Sequence, residues 1–339
     1  MAWETAWPKV PSWSTLTTRS ARPTGPVRVA LSVPEGQGAT WLALFRAAMP
    51  EASIWLRKPG LPVDPAAVPA DYVAIIGRCE TLFDEQRAMK ASFALHAGVG
   101  HLLALPNLPR DIPLIRLEDA GMAELMTRYV LTAALRFLQR LDVYALQQRE
   151  SRWEQHAVRH PSSVRAGVMG LGVIGAQVAQ ALAAIGFGVR GYARTARDVD
   201  NVGVFAGASR LDAFLDGVDF LVCVLPATAA TAGILNRTTL SRLADGAHVV
   251  NIGRGATLME DDLVALLDTG KLSGATLDVF REEPLPPEHP FWLRPEVVVT
   301  PHISGLTVPE AAVAQVAGKI AQLERGEAVT GIVAFERGY

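Results

Sequence analysis

One stretch narrows the fold more than any other. Gly170-Leu171-Gly172-Val173-Ile174-Gly175 follows an apolar run at residues 164–169 and opens a helical stretch at 176–185. A strand that turns sharply into a helix begins a βαβ unit, and such units build parallel sheets covered on both faces. Further short apolar runs at 189–193, 220–225, 248–252, 275–280 and 297–300 supply the remaining strands, which predicts a doubly wound domain.

The first half repeats the alternation on a smaller scale. Residues 27–33 read as a strand, followed by a helical stripe (Trp41, Leu42, Leu44, Phe45, Met49) that Pro50 ends. Strands are expected at 72–76, 92–95 and 114–117. Residues 123–148 lack Gly and Pro, and Leu125, Tyr129, Leu131, Leu135, Leu138 and Leu141 recur near helical spacing, so one long helix is expected between the two units. The proline-rich segment 284–290 should be a loop, 311–324 a final helix, and the tail to Tyr339 irregular.

Composition removes several function classes. Lys and Arg number 32 against 34 Asp and Glu, a net charge of −2 with no basic stripe, so nucleic acid is not an expected partner. The uncharged stretch 220–236 is broken by Pro226 and several Thr, which argues against a membrane span. Cys79 and Cys223 have neither metal spacing nor a disulfide framework, which fits a reducing cytoplasm and no metal site. Residues 1–26 carry Trp3, Trp7 and Trp13 but no apolar secretory core; they read as an arm packed on a partner or as an extension from an upstream start.

In the glycine loop, Gly170 permits the turn, Gly172 lets backbone approach a pyrophosphate, and Gly175 lets helix pack on strand, while the helix N–H groups meet the anion. An NAD site would place an acid about 20 residues further on, but Tyr192-Ala193-Arg194-Thr195-Ala196-Arg197 has none. Arg194, with Thr195 and Arg197 beside it, suits a 2′-phosphate, so NADPH is preferred and NADH is the alternative. A solvated turn neutralised by Asp198 and Asp200 is the competing reading.

Three polar residues fall at expected strand ends: Arg254 within Asn251-Ile252-Gly253-Arg254-Gly255, Glu283 before Pro284, and His302 within Thr300-Pro301-His302. With Phe93-Ala94-Leu95-His96-Ala97-Gly98-Val99, Arg116-Leu117-Glu118-Asp119, Leu277-Asp278-Val279-Phe280 and Glu283-Pro284-Leu285-Pro286-Pro287-Glu288, these stretches stand in the order found in one family. From about residue 40 onward the chain resembles the D-isomer-specific 2-hydroxyacid dehydrogenases, in particular their glyoxylate/hydroxypyruvate reductase A branch.

The resemblance implies a Rossmann domain (121–305) inserted in a smaller flavodoxin-like α/β substrate domain (27–120 and 306–339), with the active site in the cleft between. It implies that Arg254 binds the substrate carboxylate and polarises the keto group, that His302 is the general acid/base, and that Glu283 pairs with it. A planar guanidinium suits a 2-oxo acid, and a neighbouring carboxylate favours a protonated imidazole. Backbone N–H groups of Ala97 and Gly98 would bind the carboxylate, and Arg78 would add positive potential. Asp278 would orient the nicotinamide amide; Leu225, Pro226 and Thr231 would line the cofactor channel. Val173, Ile174, Ile252 and Gly305 complete the cofactor contacts.

The expected reaction is NADPH-dependent reduction of glyoxylate and hydroxypyruvate by a cytoplasmic homodimer that pairs through the helix at 122–148. The alternatives are a larger 2-oxo acid, a nicotinamide-sensing member without catalysis, or another Rossmann enzyme such as a methyltransferase. Two departures from the family pattern bear on substrate choice: His96 replaces a smaller residue, and Gly100 stands where relatives often carry Asp before His101.

Overall fold

The computed structural model describes residues 25–57, 69–77, 79–86, 88–96 and 98–336. The tryptophans of the N-terminal extension lie outside these residues.

The first half forms β1 (Arg28–Ser32), α1 (Gly38–Ala48), β2 (Ser53–Leu56), β3 (Tyr72–Ile75), α2 (Leu82–Glu85), β4 (Ala91–Ala94), α3 (Gly100–Leu103) and β5 (Leu114–Arg116). These strands make one parallel sheet in the order β2-β1-β3-β4-β5, with Ala30 opposite both Trp55 and Val73. The second half begins with α4 (Met122–Leu138), α5 (Leu141–Arg149), β6 (Arg165–Met169), α6 (Val173–Ala184), β7 (Gly188–Ala193) and β8 (Gly203–Ala206). It continues with α7 (Leu211–Leu215), β9 (Phe220–Cys223), α8 (Arg237–Leu240), β10 (Ala247–Asn251), α9 (Glu260–Asp268), β11 (Leu272–Leu277), β12 (Val297–Val299) and α10 (Pro309–Glu324). Its seven strands are all parallel, in the order β12-β11-β10-β9-β6-β7-β8. The order reverses between β6 and β9, which opens the crevice where such sheets bind ligands. The molecule is thus a two-sheet α/β structure.

Two strands escaped the sequence reading, and both are edge strands. In β2 only Ile54 is buried, and β8 has no fully buried residue. A half-exposed edge carries too little apolar signal to stand out.

The expected single helix at 123–148 is two helices. The stripe Met126, Val130, Ala133, Phe137 and Leu138 packs into the core shared with α6, and Phe137 meets the rings of Phe220 and His248. Beyond that contact Arg140 takes a left-handed conformation (φ 52°) and the chain leaves the core, so that in α5 only Gln147 is buried. No Gly marks the break, because Arg140 itself adopts the unusual backbone.

After the large sheet the chain returns to the small one. Ala312, Val313, Val316 and Ile320 of α10 join Trp41, Phe45 and Phe93 in one apolar cluster. Gln315 brackets Glu118 with two backbone hydrogen bonds, and Lys319 pairs with its carboxylate at 2.9 Å. The tail, otherwise irregular, bridges Ile332 to Ile115 of β5 in antiparallel sense.

Candidate active site

The glycine loop sits between β6 and α6 as expected. A Cβ on Gly175 would lie 1.7 Å from the Gly170 carbonyl oxygen, so glycine alone lets the helix approach the turn this closely. A Cβ on Gly172 would meet nothing within 4 Å: the space in front of it is open. The first turn of α6, which holds Val173 and Ile174, has no acidic residue and no side-chain cap, so its N–H groups are left for an anion. Arg194, Thr195 and Arg197 are exposed in the turn after β7. Arg197, Asp198 and Asp200 line a cavity of about 550 Å³ together with Val204 and Ala206 of β8.

Arg254 follows β10 in a loop built by its neighbours. Asn251, fully buried, accepts from the Gly253 N–H at 3.2 Å, and Thr257 donates to the Arg254 carbonyl at 2.7 Å. A Cβ on Gly255 would fall 1.9 Å from the Phe280 carbonyl, so the loop lies flush against its neighbour. Among the described residues the guanidinium makes one hydrogen bond, from Nη1 to the Gly253 carbonyl at 2.6 Å. Burial pulls its pKa down from the ordinary arginine value, and the nearby Glu283 opposes this. Arginine keeps its charge in proteins, so the loop presents a partly desolvated cation with most of its donors uncommitted among the described residues.

His302 and Glu283 meet directly: Nδ1 lies 2.8 Å from Oε2. The other Glu283 oxygen accepts from the Phe280 N–H at 2.9 Å, which fixes the carboxylate. His302 is left-handed (φ 54°), a conformation that a non-glycine residue holds only when its surroundings impose it. Asp278 imposes it. This buried carboxylate accepts from Ile303 N–H and Thr300 Oγ1 on one oxygen and from Ser304 N–H on the other, at 2.6–2.8 Å, while its own carbonyl accepts from the His302 N–H at 3.0 Å. Thr300 spends its only proton on Asp278, so the Tyr129 hydroxyl, 2.6 Å away, donates to Thr300. Burial pushes the Tyr129 phenol up to about 12, which keeps that donor in place.

The small sheet reaches the same point from the other side. A Cβ on Gly98 would lie 1.9 Å from Arg254 Nη2, so the guanidinium rests against the bare Cα. His96 and His101 flank this contact with ring centroids 4.7 Å apart. Burial lowers the pKa of both, with a further push from Arg254; His96 falls to about 4. Thr307 Oγ1 donates to the Leu95 carbonyl at 3.0 Å and ties the segment before α10 to the end of β4.

The structure therefore brings Gly98, Arg254, Glu283 and His302 together. Arg78 and Ala97 lie outside the described residues. Leu225 and Pro226 follow β9, and Thr231 closes their turn by donating to the Pro226 carbonyl at 2.6 Å. Ile252 is 1% exposed, its side chain packed in the core cluster around α6. Gly305 lies against Met126, whose sulfur would be 2.9 Å from a Cβ there, so it serves the packing of α4. Asp278 is engaged by the 300–304 segment, a use that its place at a strand end did not reveal. Tyr129 and Thr300 were missed as supports; their only sequence signal was a tyrosine in an otherwise apolar helical stripe.

A family model for the NAD binding domain of D-isomer specific 2-hydroxyacid dehydrogenase matches residues 131–304. The chain is 43% identical over 304 residues to glyoxylate/hydroxypyruvate reductase A of Serratia proteamaculans (strain 568), covering 88% of this chain and 96% of that one. The chain belongs to the D-isomer specific 2-hydroxyacid dehydrogenases. It is accordingly an NAD(P)-dependent oxidoreductase. Among solved structures it is similar to a D-isomer specific 2-hydroxyacid dehydrogenase from Xanthobacter autotrophicus Py2 in complex with NADPH and MES (TM-score 0.87, 34% identity, 93% of this chain and 100% of that one). It is also similar to the NADPH-dependent glyoxylate/hydroxypyruvate reductase of Sinorhizobium meliloti in complex with NADP and sulfate (TM-score 0.85, 34% identity, the same coverage). For this dehydrogenase, no helix among the described residues is long and apolar enough to cross a membrane.

Proposed function

We propose that the chain reduces small 2-oxo acids, glyoxylate to glycolate and hydroxypyruvate to D-glycerate, with NADPH preferred over NADH. The observation that carries this reading is Arg254, a partly buried cation with open donors, set beside the His302–Glu283 pair. The relatives' reductase activity and their bound NADPH or NADP support it.

NADPH, when bound, supplies the hydride; the open space before Gly172 and the uncapped start of α6 fit its pyrophosphate, and Arg194, Thr195 and Arg197 its 2′-phosphate. Arg254 holds the substrate carboxylate and keto oxygen in parallel hydrogen bonds and stabilises the negative charge that grows on that oxygen. Glu283 accepts at Nδ1 of His302, so Nδ1 carries a hydrogen and Nε2 is the nitrogen that passes a proton to the forming hydroxyl. One hydride on carbon and one proton on oxygen complete the reduction. The Gly98 N–H adds a donor for the carboxylate, with Ala97 and Arg78 as further contributors. Asp278 acts as a positioning residue that holds the 300–304 segment.

The enzyme is read as a cytoplasmic homodimer. Leu135 and Leu141 at the α4–α5 junction, Trp153, 97% exposed, and Leu293, 89% exposed, give it an apolar surface suited to a second copy. A monomer in light scattering at micromolar concentration would refute this.

The deciding experiment is the initial rate of NADPH absorbance loss with glyoxylate and with hydroxypyruvate, run beside NADH and a His302→Ala variant. Turnover that favours NADPH and drops roughly 10³-fold in the variant is expected. NADPH binding without turnover of either acid would overturn the reading in favour of a larger 2-oxo acid or a sensing role.

A further inference from the structure

The segment that carries His302 is backed by one helix. Met126 and Tyr129, one turn apart on the same face of α4, meet it at Gly305 and Thr300. The Met126 sulfur would lie 2.9 Å from a Cβ on Gly305, and the Tyr129 hydroxyl lies 2.6 Å from Thr300 Oγ1. Just ahead of the helix Val308 closes on Gly121, where a Cβ would stand 3.1 Å from its methyl group. Contacts at 300, 305 and 308 therefore press the segment against α4 and its cap, and the one at Thr300 is polar.

Thr300 is the point where this helix meets the chemistry. Its hydroxyl donates to Asp278 Oδ1 at 2.6 Å, and its carbonyl accepts from the His302 N–H at 3.0 Å. The same Oδ1 accepts from the Ile303 N–H at 2.8 Å. With its hydrogen given to Asp278, Thr300 Oγ1 has lone pairs left, and Tyr129 supplies a hydrogen to one of them. A hydroxyl that accepts while it donates is polarised so that its own donation strengthens. Tyr129, Thr300 and Asp278 thus form a series with one direction, from the helix to the N–H groups that follow the left-handed His302. Among the described residues no hydrogen bond joins these three side chains to the imidazole, whose partner is Glu283, so they act through the backbone from which the ring projects.

We infer that Tyr129 and Thr300 are positioning residues, which act in series through Asp278 to hold the His302 imidazole against Glu283. The ring has to sit there for Nδ1 to keep its hydrogen and for Nε2 to be the nitrogen that exchanges a proton with the substrate. A phenol on α4 that reaches no reacting group then sets the geometry of proton transfer. The inference rests on the reading of His302 as the proton donor and adds the residues that aim it.

The test is a double-mutant cycle with two readouts. Tyr129→Phe keeps the ring and loses the donor, Thr300→Val keeps the branched shape and loses both bonds, and Thr300→Ser keeps the hydroxyl. With NADPH and hydroxypyruvate, kcat should fall about fivefold in Tyr129→Phe and about tenfold in Thr300→Val, with the KM for NADPH unchanged and Thr300→Ser close to wild type. Because the two residues act in series, the double variant should be no slower than Thr300→Val. A loss equal to the product of the single effects, about fiftyfold, would overturn the inference, as would an undiminished kcat in Thr300→Val. The second readout needs no turnover: the ring 15N shifts of His302, assigned against His302→Ala at a pH where the ring is neutral, report its tautomer. The wild type should hold the hydrogen on Nδ1, the tautomers should mix in Tyr129→Phe and in Thr300→Val, and Thr300→Ser should restore the wild-type pattern. These changes in a protein that reduces no oxo acid would leave the inference standing and overturn the proposed reaction. Turnover with a tautomer that neither variant moves would do the reverse.

Discussion

The ends of the two sheets that meet at Gly98 and Arg254 are built in different ways. On the large sheet every group read as chemical is held by others: Arg254 by Asn251 and Thr257, Glu283 by the Phe280 N–H, and His302 by Asp278, Thr300 and Tyr129. On the small sheet the contribution is a bare Cα and two histidines, one with a nitrogen unpaired among the described residues. Groups that stabilise a developing charge must not reorganise during the reaction, so they need a dense supporting network. The difference teaches that the reacting groups are braced within one sheet, while the other presses against them a bare Cα and two histidine rings whose protonation burial disfavours.

The sharpest way to break this division is Gly98→Ala. Its methyl group would fall 1.9 Å from Arg254 Nη2, and the guanidinium, tied through Nη1 to the Gly253 carbonyl, has to move. Displacing such a clamp by about 1 Å costs on the order of 10²-fold, so kcat/KM for the oxo acid should fall by that much with NADPH affinity intact. An unchanged kcat/KM would mean that Arg254 is as adjustable as the histidines. A smaller effect, about tenfold in kcat, is expected from Asp278→Asn, which turns an amide hydrogen towards N–H donors and loosens the 300–304 segment. If the KM for NADPH rises instead and kcat holds, Asp278 serves the nicotinamide rather than His302.

The same contrast explains what was legible in the sequence. The glycine loop and Arg254 stand at the ends of buried strands, which announce themselves as apolar runs; Glu283 lies in the loop after β11, and His302 follows the edge strand β12, which its run of three valines still reveals. Edge strands β2 and β8 do not, since only Ile54 between them is buried. The break at Arg140 was hidden because an arginine adopts the left-handed turn usually marked by glycine. The supports were hidden for another reason. Tyr129 is 171 residues from Thr300, and no local pattern records a hydrogen bond between a helix and a loop that far apart. His96 was visible as a departure from the family, but its missing partner could be seen only once Arg254 and Gly98 had been brought to it.

The buried histidines extend the comparison to stability. His248 lies in the large-sheet core against Phe137 and Phe220, bonded to Thr276 at 2.9 Å, and burial pushes its pKa down to about 3. His96 is pushed to about 4, and His101 is also lowered. A histidine held neutral in the fold contributes stability that is complete above its unfolded value of about 6.5. That contribution drains away as pH falls from there towards the folded value, because only the unfolded chain takes up the proton. The carboxylates of Asp71 and Glu118, lowered by Arg28 and by Thr330 and Lys319 against the cost of burial, lose their share only below the ordinary carboxylate range. Urea midpoints between pH 6.5 and 5 therefore read the histidines. His248→Phe keeps the aromatic packing and should flatten the slope by up to about 1.4 kcal/mol per pH unit, whatever it does to stability at pH 7. An unchanged slope would assign the acid sensitivity to the small-sheet pair, and with it the less settled half of the site.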